Sequence, residues 1–292
     1  MKLFKRFVQL KITTHSKEYI INEITKQPKE HIKISFNVIK SNVKTPNEAK
    51  IEVYNLNKEL RDALSENSMN IVLSAGYEEN YQILFCGEST NIWHTLSGVN
   101  WITTFIAGEG FMNIKKAKTN ISFRKGEDMQ TVLKKISSDL NLDFEDIEKS
   151  ITLKSKEILC GNSADALDSI CNNYNLKYHI SDNKVKIFTK KLDINKAIVI
   201  SSSSGLLKDK GVVKTEMGVD ISSMLIPTII PGDTVYLDAS YINEVKQNSL
   251  TIAKQDMTLE SLNGYYKVTT ATFTGDNYNG PYTTKLECID GY

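Results

Sequence analysis

Cysteine is scarce in this sequence. Cys86, Cys160, Cys171 and Cys288 are the only four among 292 residues, and they are widely separated. Such a low count excludes the dense disulfide framework of small secreted domains. Cys86 and Cys288 lie in apolar stretches typical of strands, so we expect both to be reduced and to pack as small hydrophobic side chains. Cys160, Cys171 and His179 are the only candidates for a metal cluster, but their spacing matches none of the short ligand pairs of zinc sites. We therefore predict neither a metal nor another cofactor.

Catalytic motifs are also missing. The sequence has no G-x-S-x-G, no P-loop, no H-E-x-x-H and no G-x-G-x-x-G after a strand. The segment from Gly108 to Gly110 is too short for a phosphate loop and predicts a turn. The serines at 201–204 have no neighbouring His or Asp to activate a nucleophile, so this run predicts a linker. We predict no catalytic residue and no enzyme activity.

Acidic residues cluster at one place, where they raise the question of a cation site. These residues are Asp143, Glu145, Asp146 and Glu148. A calcium loop needs a glycine at its sharp turn and a bidentate Glu at a fixed distance, and both are absent. We expect this cluster to be the solvated end of a helix.

A strong charge of one sign and a long apolar run are absent too. Lys and Arg number 36 against 35 Asp and Glu, so nothing draws the chain to nucleic acid or an anionic membrane. The longest apolar-looking run, Met224 to Leu237, is broken by Pro227, Pro231 and Asp233 and is too short to span a bilayer. Met1 to Leu10 lacks the apolar core of a secretory signal. We expect a soluble protein made in a cytoplasm, with no membrane partner and no specific nucleic acid.

A period-two pattern dominates residues 1–110 and predicts strands with one apolar face. The predicted strands are Phe7 to Thr13, Ile32 to Val38, Asn47 to Asn55, Asn70 to Ala75, Tyr81 to Phe85 closed by Gly87, and two within Trp93 to Ala107 around the Ser97-Gly98 turn. His15 to Lys29, which contains Pro28, predicts a loop or short helix, and Lys58 to Leu64 a short helical turn. Gly76 is expected where the backbone needs a positive φ. Six or seven strands are enough to close a small barrel.

The pattern changes to a helical period in residues 111–200. Glu127 to Leu140 and Ser163 to Tyr174 each carry an apolar stripe at helical spacing. Asn162 is placed to cap the second helix, and Asn175 to stop it in a left-handed conformation. A hairpin follows, with Leu176 to Ile180 and Val185 to Phe188 as its strands. This region is predicted to be a small α+β domain.

Strand patterns return in residues 201–292 and parallel the first block. Predicted strands lie at Val219 to Ile221, Val235 to Ala239, Tyr265 to Thr272 after an Asn263-Gly264 turn, and Thr283 to Ile289. Asp233 to Ala239 aligns with Asn70 to Ala75, and Tyr282 to Gly291 aligns with Trp101 to Gly110. The identities are few, and they suggest an internal repeat.

Several short motifs then carry a family resemblance in their order and spacing. They are Asn47-x-Ala49-x-Ile51-x-x-Tyr54-Asn55-Leu56, Ala75-Gly76-Tyr77, Leu84-Phe85-x-Gly87-Glu88, residues 224–233 (MLIPTIIPGD), residues 263–268 (NGYYKV) and Thr274-Gly275-Asp276. In these motifs the chain resembles the baseplate hub proteins of contractile bacteriophage tails and related phage-tail-like injection particles. The resemblance covers most of the chain, and the middle domain matches least.

The resemblance implies a fold and a function. The fold is mainly β with an α+β insert, in which two tail-tube-like β-barrel domains (1–110 and 201–292) flank the α+β domain (111–200). The function is a structural hub in the virion tail baseplate, assembled in the bacterial host cytoplasm. A homotrimer would form a ring of six barrels around a channel, joining a six-fold tail tube to a three-fold spike. Its partners would be itself, the tail-tube or tube-initiator protein, the spike protein and other baseplate proteins.

Two other functions remain open from the residues alone. A peripheral tail component that binds or degrades cell-wall carbohydrate is suggested by exposed-ring candidates in the last block, namely Tyr265, Tyr266, Tyr278, Tyr282 and Tyr292. A hydrolase would also need paired carboxylates, which the sequence does not place. A nucleic-acid-binding protein would need a basic stripe or a known motif, and both are missing.

Overall fold

The structure is a computed structural model. It describes residues 5–14, 17–25, 30–42, 46–64, 69–77, 80–145, 151–181, 183–189, 191–208, 211–240, 246–247 and 262–291. The predictions for His15, Pro28, Asp146, Glu148 and Tyr292 lie outside these residues. No helix in the described ranges is long and apolar enough to cross a membrane.

The described part of residues 1–110 forms strands and one short helix. They are β1 Arg6–Thr13, β2 Glu18–Ile21, β3 Ile34–Ser41, β4 Glu48–Tyr54, α1 Lys58–Ala63, β5 Asn70–Tyr77, β6 Asn80–Ser97 and β7 Asn100–Gly108. The alternating positions predicted to face inward on β1, β3 and β4 are buried. Asn57 caps α1 because its side chain accepts the Leu60 N–H. The periodicity thus placed this core correctly.

Two predictions in this block were wrong. The segment His15 to Lys29 contains strand β2, paired antiparallel with β1, where a loop or helix was expected. Gly87 does not end a strand, because β6 runs through it to Ser97. A Cβ atom at Gly87 would lie 2.6 Å from the Gly108 carbonyl oxygen, so glycine permits the close approach of β6 and β7.

The described part of residues 111–197 mixes helices and strands and is called the α+β unit below. Its elements are α2 Phe111–Lys116, β8 Lys118–Phe123, α3 Met129–Asp139, β9 Asp143–Glu145, β10 Glu157–Asn162, α4 Ser163–Asn173, β11 Lys177–Ser181 and β12 Lys184–Phe188. Both predicted helices and the predicted hairpin are confirmed. Asn162 accepts the N–H groups of Ala164 and Asp165, and Asn175 has a φ of 56°. Asp143 and Glu145 were wrongly expected in a helix end, since they lie in β9, which pairs in parallel with β12.

The last block is again β. It contains β13 Ile198–Ile200, β14 Val212–Lys214, β15 Gly218–Met224, β16 Thr234–Leu237, β17 Lys246–Gln247, β18 Gly264–Asp276 and β19 Tyr282–Asp290. The linker predicted at Ser201 to Ser204 is wrong, because β13 directly before it pairs with β16. The serines form a 3₁₀ turn that bonds to itself: the Ser201 N–H donates to the Ser204 hydroxyl at 2.8 Å. The Asn263-Gly264 pair is not a hairpin turn, since Gly264 opens β18 opposite Leu237 of β16.

One large sheet joins the first and last blocks. Its strand order is β17-β14-β15-β19-β18-β3-β4-β7-β6-β5-β1-β2, with β16 paired to β18 and β13 paired to β16. The joint is the antiparallel pairing of β18 with β3, from Thr270 opposite Ser41 to Asp276 opposite Ser35. The mainly β fold is confirmed. Within the described residues the hydrogen-bonded path stays open, so the expected barrel closure is not formed by backbone ladders.

The buried apolar residues form two clusters. One extends across the first and last blocks, with Leu10, Phe36 and Phe105 packed in the same cluster as Val235 and Phe273. The other lies inside the α+β unit, between its two longer helices and its strands. The three-part division at 110 and 200 stays a prediction.

Candidate functional site

The residues considered for metal binding do not form a site. Cys160 is exposed on β10, Cys171 is buried in α4, and His179 is buried on β11. Burial raises the pKa of the Cys171 thiol to about 12, which suits a packed side chain. No three His, Cys, Asp or Glu side chains in the described ranges are grouped to hold a metal ion. Cys86 is exposed, which corrects its expected packing as a hydrophobic side chain, whereas Cys288 is buried as expected.

The tyrosines of the last block do not share one surface. Tyr266 and Tyr282 are buried. Tyr265 is partly exposed and packs on the ring of Tyr236, with ring centroids 4.8 Å apart. Tyr278 is exposed, and its hydroxyl donates to the His31 carbonyl oxygen. Two of these four rings, those of Tyr266 and Tyr282, therefore serve the core.

A buried polar seam connects the first block to the α+β unit. The Asn47 amide donates to Glu109 Oε2 at 2.6 Å and to the Ile180 carbonyl oxygen at 2.8 Å. The Lys40 ammonium donates to the Ser181 hydroxyl at 3.2 Å. Because buried polar groups need partners, these bonds fix the orientation of the hairpin β11–β12 on the end of the large sheet.

His179 lies in the same seam. Its Nδ1 is 2.9 Å from the Ser41 carbonyl oxygen, which can only accept, so Nδ1 carries the proton. Nε2 is buried and makes no hydrogen bond. Burial, with Lys40 and Lys186 nearby, lowers the pKa of His179 to about 4. This seam was not predicted from the sequence. The only sign of the seam in the sequence is that polar residues stand at the ends of predicted strands.

The large sheet has one apolar face and one polar face. From β15 through β19, β18, β3, β4 and β7, most inward positions are buried apolar residues. The opposite positions carry polar side chains, among them Asp220, Lys285, Thr272, Asn37, Lys50 and Glu52. Ion pairs lie on this face, between Lys285 and Asp220 at 3.1 Å and between Lys50 and Glu52 at 2.7 Å. A largely polar surface thus runs across both blocks, interrupted by Ile39, which is 43% exposed between Thr272 and Glu48.

The free end of the β6–β7 hairpin carries exposed apolar side chains. Val99 at the turn is 91% exposed and Leu96 is 56% exposed, while Trp93 and Trp101 are 43% and 38% exposed. These are the only two tryptophans in the chain. Exposed tryptophan is typical of residues that dominate binding energy in protein interfaces. This end of the hairpin, residues 93–101, is called the hairpin tip below.

The family model described as baseplate hub gp41 matches residues 8–272 of this sequence. The chain therefore belongs to the baseplate hub gp41 family, and it is a structural protein of the baseplate in a phage tail. The resemblance seen in the sequence motifs is confirmed. A comparison with curated proteins finds no significant match.

Solved structures of tail proteins share this fold. A 43 kDa tail protein of prophage MuSo2 from Shewanella oneidensis matches with a TM-score of 0.61 and 6% identity, covering 96% of each chain. A tail protein from Neisseria meningitidis MC58 matches at 0.58 and 10% identity, covering 97% of this chain and 96% of that one. The E. coli c3393 protein, a component of the type VI secretion system, matches at 0.54 and 8% identity, covering 89% and 75%. These likenesses extend over nearly the whole chain.

Proposed function

We propose that this baseplate protein forms a homotrimeric ring around a central channel and joins the six-fold tail tube to a three-fold spike in a contractile tail. One observation carries the proposal: a single sheet crosses both β blocks and has a largely polar face opposite its apolar core. Such a face suits the wall of a water-filled channel. In this proposal residues 1–110 and 201–292 act as the two tube-like units and residues 111–200 as the insert between them.

The repetition of the β block supports the symmetry of the ring. Three copies of a chain with two similar blocks present six similar units, which is the number needed to meet a six-fold tube. The E. coli relative is described as structurally similar to the T4 tail proteins gp27 and gp5, and this supports a spike partner for the present chain. The proposed role is structural, without a catalytic step.

Strand edges offer a way to join the copies. Beyond Glu88, where pairing with β5 ends, β6 pairs only with β7 among the described residues. Asn55 bonds both the N–H and the carbonyl oxygen of Trp101, so these groups point away from β6. Leu96 is the cross-strand partner of Trp101, so its N–H and carbonyl groups point to the open edge. The N–H and carbonyl groups of His94, two residues earlier on the same strand, point the same way. A strand from a neighbouring copy can add there.

Electron microscopy of the purified protein tests the ring. We expect three-fold particles with a central hole. His94→Pro removes one outward N–H from the edge and should dissociate the ring, whereas His94→Ala, which loses the same side chain but keeps that N–H, should leave it assembled. Particles without a hole would contradict the ring. If both variants assembled as well as the wild type, edge pairing at β6 would be contradicted.

A further inference from the structure

Two equivalent hairpins of the sheet turn at the same end. The internal repeat aligns β19 with β7, so β18–β19 corresponds to β6–β7. Cross-strand partners form one row across the sheet: Asp276 on β18, Ser35 on β3, Glu52 on β4, Thr104 on β7 and Trp93 on β6. The turns of both hairpins lie beyond this row, whereas the seam with the α+β unit lies at the opposite end of the same strands.

Only one of these hairpins projects. Beyond the row, β6–β7 continues through the pairs Thr95–Ile102, Leu96–Trp101 and Ser97–Asn100. The β18–β19 ladder has its last pair at Gly275 and Tyr282. Its turn is held to the body of the protein, because Arg6 donates to the carbonyl oxygens of Asp276 and Gly280 at 3.0 and 2.6 Å.

The projecting tip is apolar, uncharged and braced. No residue from Thr95 to Asn100 is charged, and Val99 and Leu96 are the most exposed apolar side chains of the tip. The Asn55 amide bonds the side chain of Asn100 at 2.9 Å. The Arg61 guanidinium lies 4.4 Å from the centre of the Trp101 ring, and it also donates to the Leu56 carbonyl oxygen. A braced apolar tip loses little conformational entropy on binding.

We infer that the hairpin tip is the contact that receives the spike. This inference rests on the proposed ring: three copies contain six equivalent hairpins, of which three project from the face opposite the α+β units. That face therefore presents three projecting tips and fits a three-fold partner, whereas a six-fold tube would need six identical contacts. Because the tip carries no charge, its partner surface is an uncharged apolar recess, repeated three times around the spike base.

The test uses the full chain, with the spike protein and the tail-tube protein of the same tail as separate probes. Val99→Asp and Leu96→Asp each place a charge on the tip. Met217→Asp is the matched control, because Met217 is 74% exposed and lies next to Gly218, whose partner Ile289 is at the other end of the sheet. Spike and tube affinities are measured by biolayer interferometry after light scattering has confirmed that each variant keeps the wild-type mass.

Both tip variants should weaken spike binding at least tenfold and keep tube binding within twofold of wild type, while Met217→Asp should keep spike binding within twofold. Spike binding should also shift the emission of Trp93 and Trp101 to the blue. Unchanged spike affinity in both tip variants, or loss of tube binding in place of spike binding, overturns the inference. A wild-type trimer that binds the tube and never the spike overturns it as well, whereas a wild type that stays monomeric both alone and with the spike overturns the proposed ring itself.

Discussion

The hydroxyl of Tyr282 lies 2.8 Å from the carbonyl oxygen of Phe7, a residue at the other end of the chain. The Tyr282 hydroxyl oxygen also accepts the Gly76 N–H at 2.9 Å and lies 2.6 Å from the Gly76 carbonyl oxygen. Tyr282 is buried, so the last strand is tied to β1 and β5 where no backbone ladder connects them. Side chains thus hold the two β blocks together on the side where the sheet is open.

Tyr282→Phe removes this tie and leaves the Gly76 N–H buried without its acceptor. We expect the free energy of unfolding to fall by about 1–3 kcal/mol. Tyr278→Phe is the control, since its hydroxyl makes one bond at an exposed site and should cost less than about 1 kcal/mol. Urea unfolding curves measure both. Equal losses in the two variants would show that Tyr282 does not act as a tie.

Acid should destabilise the protein through His179. The folded state holds this imidazole neutral, with its pKa lowered from 6.5 to about 4, so between those pH values the unfolded chain binds the extra proton. Its contribution to stability is therefore complete above pH 6.5 and is lost as the pH falls toward 4. The loss is on the order of 3 kcal/mol, from about 1.4 kcal/mol for each pH unit.

His179→Gln should flatten this part of the stability profile. His94→Gln is the control, because that side chain is only partly buried, its pKa lowered by burial and by Arg61. Denaturant midpoints from pH 4 to 8 compare the three proteins. If the denaturant midpoint of His179→Gln fell with decreasing pH as steeply as that of the wild type, the acid sensitivity would belong to other groups.

The close approach of β6 and β7 depends on Gly87. An added methyl group would lie 2.6 Å from the Gly108 carbonyl oxygen, and backbone on both sides must shift to accept it. Gly87→Ala is expected to lower the free energy of unfolding by about 2 kcal/mol or more. Gly264→Ala, whose nearest neighbour would be 3.9 Å away, should change it by less than about 1 kcal/mol. Thermal unfolding that ranks the two variants in the opposite order would contradict this.

The seam at Asn47 should tolerate little change. Asn47→Asp replaces a donor with a second carboxylate beside the buried Glu109, so we expect a larger loss of stability than for Asn47→Ala. The Ala variant loses the two hydrogen bonds that the amide donates and the one it accepts from the Ser41 N–H, and it should cost about 1–3 kcal/mol. Chemical denaturation at pH 7 gives both values, and an Asp variant as stable as the Ala variant would show that solvent reaches the seam.

Local patterns predicted much of this fold. Alternation located the core positions of β3 and β4, such as Phe36 and Ile51, and the helix-capping Asn162 marked the start of α4 to the residue. These signals lie within a few residues of each other and are therefore visible in the sequence. The predicted linker at Ser201 to Ser204 failed because serines that bond one another in a tight turn have the composition of a flexible segment.

Features that join distant residues were beyond such patterns. The pairing of β3 with β18 links residues more than two hundred positions apart, so no local period indicates it. The length of β6 was missed because a glycine such as Gly87 can mark either a strand end or a close backbone approach. The burial of His179 and of Glu109, each with its own hydrogen-bond partner, was not predicted, since isolated polar residues at strand ends are usually exposed. The hairpin tip was visible as Trp93 and Trp101, but only the paired register shows that it projects.

The mass of the purified protein in solution tests the trimeric hub most directly. Light scattering after size exclusion is measured for the chain alone and with the spike protein of the same tail. The proposal predicts a trimer close to three times the 32.9 kDa chain mass when measured alone, or a complex that contains three chains once the spike is added. A chain that stays monomeric under both conditions would contradict the symmetric ring and leave a baseplate protein that binds at its periphery.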